Sequence, residues 1–152
     1  ATAIPRGAKA ADLEQSFAAV AQILPEAVGL IDTADATFQD NRGLSAEVVT
    51  HLDSQGLGLV TFDRGLNAAD QVARREGLPS AIVFRSLDDE GEDSPLIRRY
   101  LDRAAFKAAQ EGRVVVFGSA REATITALME WAVEGRSASV ALAPISAVMQ
   151  AP

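Results

Sequence analysis

Asp32, Asp35 and Asp40 crowd into one short stretch, VGLIDTADATFQD (residues 28–40), just where an apolar run ends, and Asp63 follows the next apolar run in GLGLVTFD. Carboxylates held close together can grip a hard cation through oxygen or divide the roles of acid and base. Asp32, Asp35 and Asp63 are therefore the first candidates for chemistry. The competing reading is structural: an aspartate at such a place commonly accepts N–H bonds from the loop that follows and closes it.

Other side chains offer less. Ser119 could act as a nucleophile only beside a base, and the sole histidine, His51, falls within a helical pattern next to Leu52. One histidine also cannot make the two-imidazole grip that zinc and non-haem iron favour, so His51 reads as a surface or boundary residue. The acidic run Asp88 to Asp93 lacks the spaced oxygens and terminal bidentate Glu of a calcium loop and reads as a solvated face, as do Arg74-Arg75 and Arg98-Arg99. No Gly-rich phosphate loop occurs. Trp131, between Met129 and Val133, reads as packing and not as a sugar platform.

The elements that must position these groups alternate along the chain. Leu13, Phe17, Val20 and Leu24 recur at helical spacing over Ala11 to Leu24, which Pro25 ends. Val28 to Asp32 reads as a buried strand, Ser45 to Gln55 as a helix stopped by Gly56, and Leu57 to Phe62 as a second strand. Asn67 caps a helix running to Glu76, and Ala81 to Leu87 is a third strand. Ser94 reads as the cap, and Pro95 as the first residue, of a helix ending at Glu111, and Arg113 to Gly118 is a fourth strand. Ser119-Ala120-Arg121-Glu122 fits a reciprocal capping box for a helix that buries Ile125, Leu128 and Ala132, and Ser139 to Pro144 reads as a fifth strand. Continuous Val/Ile/Leu strands between amphipathic helices predict an α/β fold with a mostly parallel sheet covered on its faces. In such folds ligands meet the carboxyl ends of the strands, and Asp32, Asp35, Asp63, Asp88, Asp89, Ser119 and Ser146 lie there.

Bulk properties narrow the partners. The 152 residues suit a single domain, and a 48% hydrophobic fraction suffices for a core. A net charge of −7 opposes binding to a phosphate backbone, so nucleic acid is not an expected partner. No apolar stretch approaches the roughly 20 residues of a membrane span. The absence of cysteine excludes disulfides and thiolate ligands and leaves the compartment open. Ala1 to Arg6 lacks an initiator Met and a signal pattern, which reads as a processed or truncated start.

Together, ILPEAVGLIDTADATF, GLGLVTFDRGLNAADQVARREGLP, FRSLDDEGEDSPLIRRYLDRAAFKAAQEGRVVVFGSAREATI and VALAPISAVM resemble, from about Thr2 to Met149, the C-terminal two-thirds of a divergent polysaccharide deacetylase. The resemblance implies a bacterial protein of the periplasm or cell envelope with a deacetylase-like (β/α) barrel acting on carbohydrate. It also implies that Thr33 stands where the family carries a histidine facing the presumed metal site, and that Ser119 replaces a second histidine. Asp63 matches an acid that the family tends to keep, although Gly65 and Leu66 replace the Arg and Thr that commonly follow. The family's first strands, with their paired acids, would lie before Ala1.

On this reading Asp63 and Asp32 are the candidate catalytic acids, and Asp35, Ser119 and Arg121 the candidate substrate-binding residues, with no metal ligand assigned. Without imidazole, the cation that would polarise an amide carbonyl has only carboxylates to hold it. The expectation is a degenerate member, catalytically silent as this chain and without a cofactor of its own, whose rim stays open to envelope glycan or a partner. The alternatives are an active metal-dependent deacetylase completed by N-terminal strands or another chain, a non-catalytic glycan- or protein-binding module, and a receiver-like signalling domain built on Asp88. Unpaired sheet edges further suggest a homodimer.

Overall fold

A computed structural model of the chain describes Ile4, residues 7–33 and residues 35–149. The reading of the chain's start from Ala1 to Arg6 therefore lies, apart from Ile4, outside the described residues. These fall into two compact units, one running through Ile82 and taking back Met149, the other Val83–Val148.

In the first unit α1 (Ala10–Ile23), β1 (Gly29–Ile31), α2 (Arg42–Ser54), β2 (Gly58–Phe62) and α3 (Ala68–Glu76) alternate before the chain enters β3 (Ser80–Ser86). β1 and β2 run parallel with Gly29 opposite Gly58 and Ile31 opposite Val60. A Cβ at Gly29 would meet the Gly58 carbonyl oxygen at 2.6 Å, so glycine is what permits this approach. α2 starts earlier than Ser45 because Asn41 caps it, accepting the Leu44 N–H at 3.1 Å. Asn67 caps α3 as its residue type suggested, accepting the Asp70 N–H at 3.2 Å. The core of this unit gathers Leu13, Phe38, Val48, Leu52, Leu59 and Leu78.

The second unit holds the rest of β3, α4 (Ser94–Glu111), β4 (Val115–Phe117), α5 (Glu122–Val133), a 3-10 turn over Arg136–Ser139 and the short α6 (Ile145–Val148). β3 and β4 pair in parallel, with Val83 opposite Val115 and Ser86 opposite Phe117. Its core is built on Leu87, Ile97, Leu101, Ala105, Ala127 and Trp131. The sheet order is β1-β2-β3-β4, and parallel strands alternating with helices make this the α/β fold that the apolar runs indicated.

In the first unit β1 is not the buried strand expected over Val28 to Asp32, since Gly29 and Leu30 are half-buried and Ile31 is 43% exposed. Four further expectations need correction in the second unit. The cap of α4 is Asp93, which accepts the Leu96 N–H at 3.0 Å, so Ser94 and Pro95 are already inside the first turn. α5 begins at Glu122 with Arg121 as an N-cap whose side chain makes no capping bond, so the box expected at Ser119 to Glu122 does not form. That helix buries Thr124, Ala127 and Trp131, whereas Ile125 and Leu128 are 47% and 38% exposed and Ala132 is exposed. The segment Ser139 to Pro144 is not a strand; it leaves the 3-10 turn and runs irregularly into α6. Ala141 and Ala143 fit a pleated surface poorly and Pro144 can donate nothing to a ladder.

Candidate functional site

The candidate residues of the first unit lie in the loops that leave β1 and β2. Asp32 immediately follows β1 and is 4% exposed. Its Oδ1 accepts the Thr33 N–H at 2.7 Å, and its Oδ2 accepts those of Phe38 and Gln39 at 3.2 and 3.0 Å. The carboxylate is thus surrounded by main-chain donors and ties the residue 33–39 loop back onto the strand end. Within that loop the Thr33 and Thr37 hydroxyls share a hydrogen bond at 2.5 Å, and Ala36 adopts a positive φ of 55° as its N–H reaches the Thr33 carbonyl.

Gln39, which nothing in the sequence marked as functional, is 0% exposed. Its amide donates to the carbonyls of Phe62 and Arg64 at 3.0 and 2.8 Å and accepts the Phe62 N–H at 2.9 Å. Asp32 therefore holds the Gln39 backbone, and the Gln39 side chain holds both residues flanking Asp63. The Arg64 N–H closes onto the Phe62 carbonyl at 2.7 Å, so Asp63 occupies the tip of a tight turn with its side chain exposed. Asp40 completes the frame by accepting the Asn67 N–H at 2.9 Å, while the Asn67 amide donates to Thr61 Oγ1 at 2.8 Å. Gly65, at φ +63°, packs against the Asp40 carboxylate so closely that a Cβ there would collide with it. Asp35 is exposed on the loop after β1.

In the second unit Asp88 takes the equivalent place after β3 and is 5% exposed. Its carboxylate accepts the Ser119 N–H at 3.1 and 2.9 Å and the Thr124 hydroxyl at 2.5 Å. Arg121 Nη1 donates to the Asp88 carbonyl at 3.1 Å, and the Ser119 side chain is exposed. The rest of the acidic run divides: Asp93 caps α4, and Asp89 and Glu90 are exposed. Trp131 is 2% exposed, packed as expected, and its indole N–H donates to Asp102 at 2.8 Å. His51 is half-buried and stacks on Phe17 with ring centroids 4.2 Å apart.

Among the described residues no three His, Asp or Glu side chains are placed to hold a metal ion, and no buried side-chain polar atom lacks a hydrogen-bond partner. Asp32, Asp35 and Asp63 thus do not converge into one cation cage. The donor set present does not fit the transition metal that a deacetylase reaction would call on: Asp32 is engaged with N–H groups and Thr33 and Ser119 carry hydroxyls. What remains chemically available is the exposed carboxylates of Asp63 and Asp35 on the first unit and the exposed hydroxyl and guanidinium of Ser119 and Arg121 on the second.

A family model described as divergent polysaccharide deacetylase matches residues 1–149. An uncharacterized protein from Agrobacterium tumefaciens C58 shares the fold with a TM-score of 0.80 at 18% identity, over 95% of this chain and 58% of that one. The chain thus spans somewhat over half of that protein's length, and at this identity the likeness concerns the fold alone. Curated proteins yield no match.

Proposed function

The chain belongs to the divergent polysaccharide deacetylase family, and on that premise we propose that it is a carbohydrate-binding domain of the cell envelope that does not deacetylate as this polypeptide. The observation that carries the reading is the environment of Asp32: the buried strand-end carboxylate has both oxygens engaged by main-chain N–H groups, which commits it to closing the loop that follows. Thr33, next to it, offers a hydroxyl where the family resemblance calls for imidazole, and that hydroxyl is bonded to Thr37. Hydrolysis of an N-acetyl group needs an activated water and a stabiliser for the oxyanion, and the exposed carboxylate of Asp63 supplies at most a base.

The same exposed groups suit binding. Asp63 and Asp35 can accept hydrogen bonds from sugar hydroxyls, and Asp63 is presented on a turn whose two flanking residues are clamped by Gln39, which lowers the ordering cost of contact. Ser119 and Arg121 offer a donor set of their own on the second unit. A second reading draws on the share of the Agrobacterium protein that this chain spans: residues beyond this chain, or from a second copy in a homodimer, would complete a metal-dependent deacetylase in which Asp63 is the base.

Calorimetric titration with zinc, nickel and manganese, together with a deacetylation assay on chitooligosaccharide, separates these readings. The first expects weak glycan binding that Asp63→Asn reduces severalfold, with no acetate released under any metal. Micromolar or tighter metal binding accompanied by acetate release overturns it.

A further inference from the structure

The second unit contains a groove that none of these roles uses. Its volume is about 560 Å³, and its wall is formed by α4 residues such as Ala104 and Ala108, by Val114 to Val116 at β4, by Leu128 of α5 and by Leu142 of the segment after the 3-10 turn. That size falls in the range of roughly 300–1,000 Å³ typical of small-molecule sites. The wall is apolar except for Ser139 and one charged residue, Arg113.

Arg113 distinguishes this groove from a plain greasy surface. It is half-buried, and among the described residues it has no ion pair, side-chain hydrogen bond or ring contact. The other half-buried cations of the unit are engaged: Arg98 with Glu130 and Glu134, Lys107 with Glu111, and Arg85 over the Tyr100 ring. Its guanidinium nitrogens stay open to solvent at the edge of the apolar wall, and a cation so placed without a counter-charge suits a planar anion that it can meet bidentately while the rest of the ligand lies on the wall.

From this complementarity we propose that the groove is a binding site for the acyl chain of an amphiphile with a carboxylate head, the chain lying along Val114 to Val116 and Leu128 and the carboxylate meeting Arg113. The site is independent of the strand-end groups proposed to meet glycan. Trp131 lines the groove and is the only tryptophan of the chain, so its emission reports occupancy directly.

The test titrates the full chain with octanoate, decanoate and dodecanoate below their micelle concentrations, following Trp131 emission. Saturable one-to-one binding is expected, tightening about fourfold per added methylene. Arg113→Gln should weaken dodecanoate about tenfold and dodecanol less than twofold, Arg113→Lys should recover only part of the loss because an ammonium cannot pair bidentately, and Ala108→Phe should block both ligands while leaving the circular dichroism unchanged. An absence of saturable binding, or equal losses for acid and alcohol on Arg113→Gln, overturns the proposal. So does a dimeric light-scattering mass with a Trp131 emission that ignores the ligand, which would give the groove to a second copy of the chain.

Discussion

Asp32 and Asp88 occupy matching places in the two units, each directly beyond a parallel strand and each almost fully buried, yet they do different work. Asp32 is local: its partners are the N–H groups of Thr33, Phe38 and Gln39 in the loop that it begins. Asp88 is tertiary: its partners, Ser119 and Thr124, lie 31 and 36 residues away across the turn into α5. The same residue type at the same topological point closes a loop in one unit and fastens two loops together in the other. A strand-end acid is therefore a statement about position, and its partners decide what it does.

That contrast can be broken by substitution. Asp32→Ala should have the largest effect, about 3 kcal/mol in urea unfolding, because it strands three main-chain donors in a buried loop. The faster amide exchange should be confined to the residue 33–39 loop. Asp88→Ala should cost nearly as much, about 2–3 kcal/mol, but speed exchange at both the 88–93 and the 118–124 segments. Equal and local exchange patterns for the two variants would remove the distinction. Gln39→Leu, which keeps the volume but releases Phe62 and Arg64, should cost about 2 kcal/mol and loosen the turn carrying Asp63, read as a loss of glycan affinity larger than that of a distant variant of equal stability. Thr124→Val should be the mildest, about 1 kcal/mol, since Asp88 keeps the Ser119 N–H.

Much of the first unit was legible because its signals are short-range. The apolar runs at β1 and β2, the Asn67 cap and the Gly56 stop each act within a few residues, and the structure places the elements where they indicate, although β2 is buried as expected and β1 is not. The second unit defeated local reading where distant groups intervened. The capping box at Ser119 was sound as a pattern, but the Ser119 N–H is taken by Asp88, and the helix begins at Glu122 instead. The buried face of α5 was misread because counting aliphatics overlooks polar anchors: Thr124 is drawn inward by Asp88, and Trp131 by packing and its bond to Asp102. Ser139 to Pro144 has a strand's hydrophobicity without residues that hold a ladder.

The candidate site was legible in outline only. Strand-end topology marked Asp32, Asp35, Asp63, Asp88, Asp89, Ser119 and Ser146, but it could not tell a carboxylate turned into its own loop from one left facing solvent. Gln39 gave no signal, because a glutamine clamping a turn across 23 residues has no local pattern.

The central claim is that Asp32 anchors a loop and is withheld from chemistry. The most direct measurement follows the Phe38 and Gln39 amide protons by NMR during a zinc titration with chitooligosaccharide present. The account expects both amides to stay protected and unshifted while no acetate appears. Loss of those two bonds as zinc binds, with acetate released in step, would contradict it.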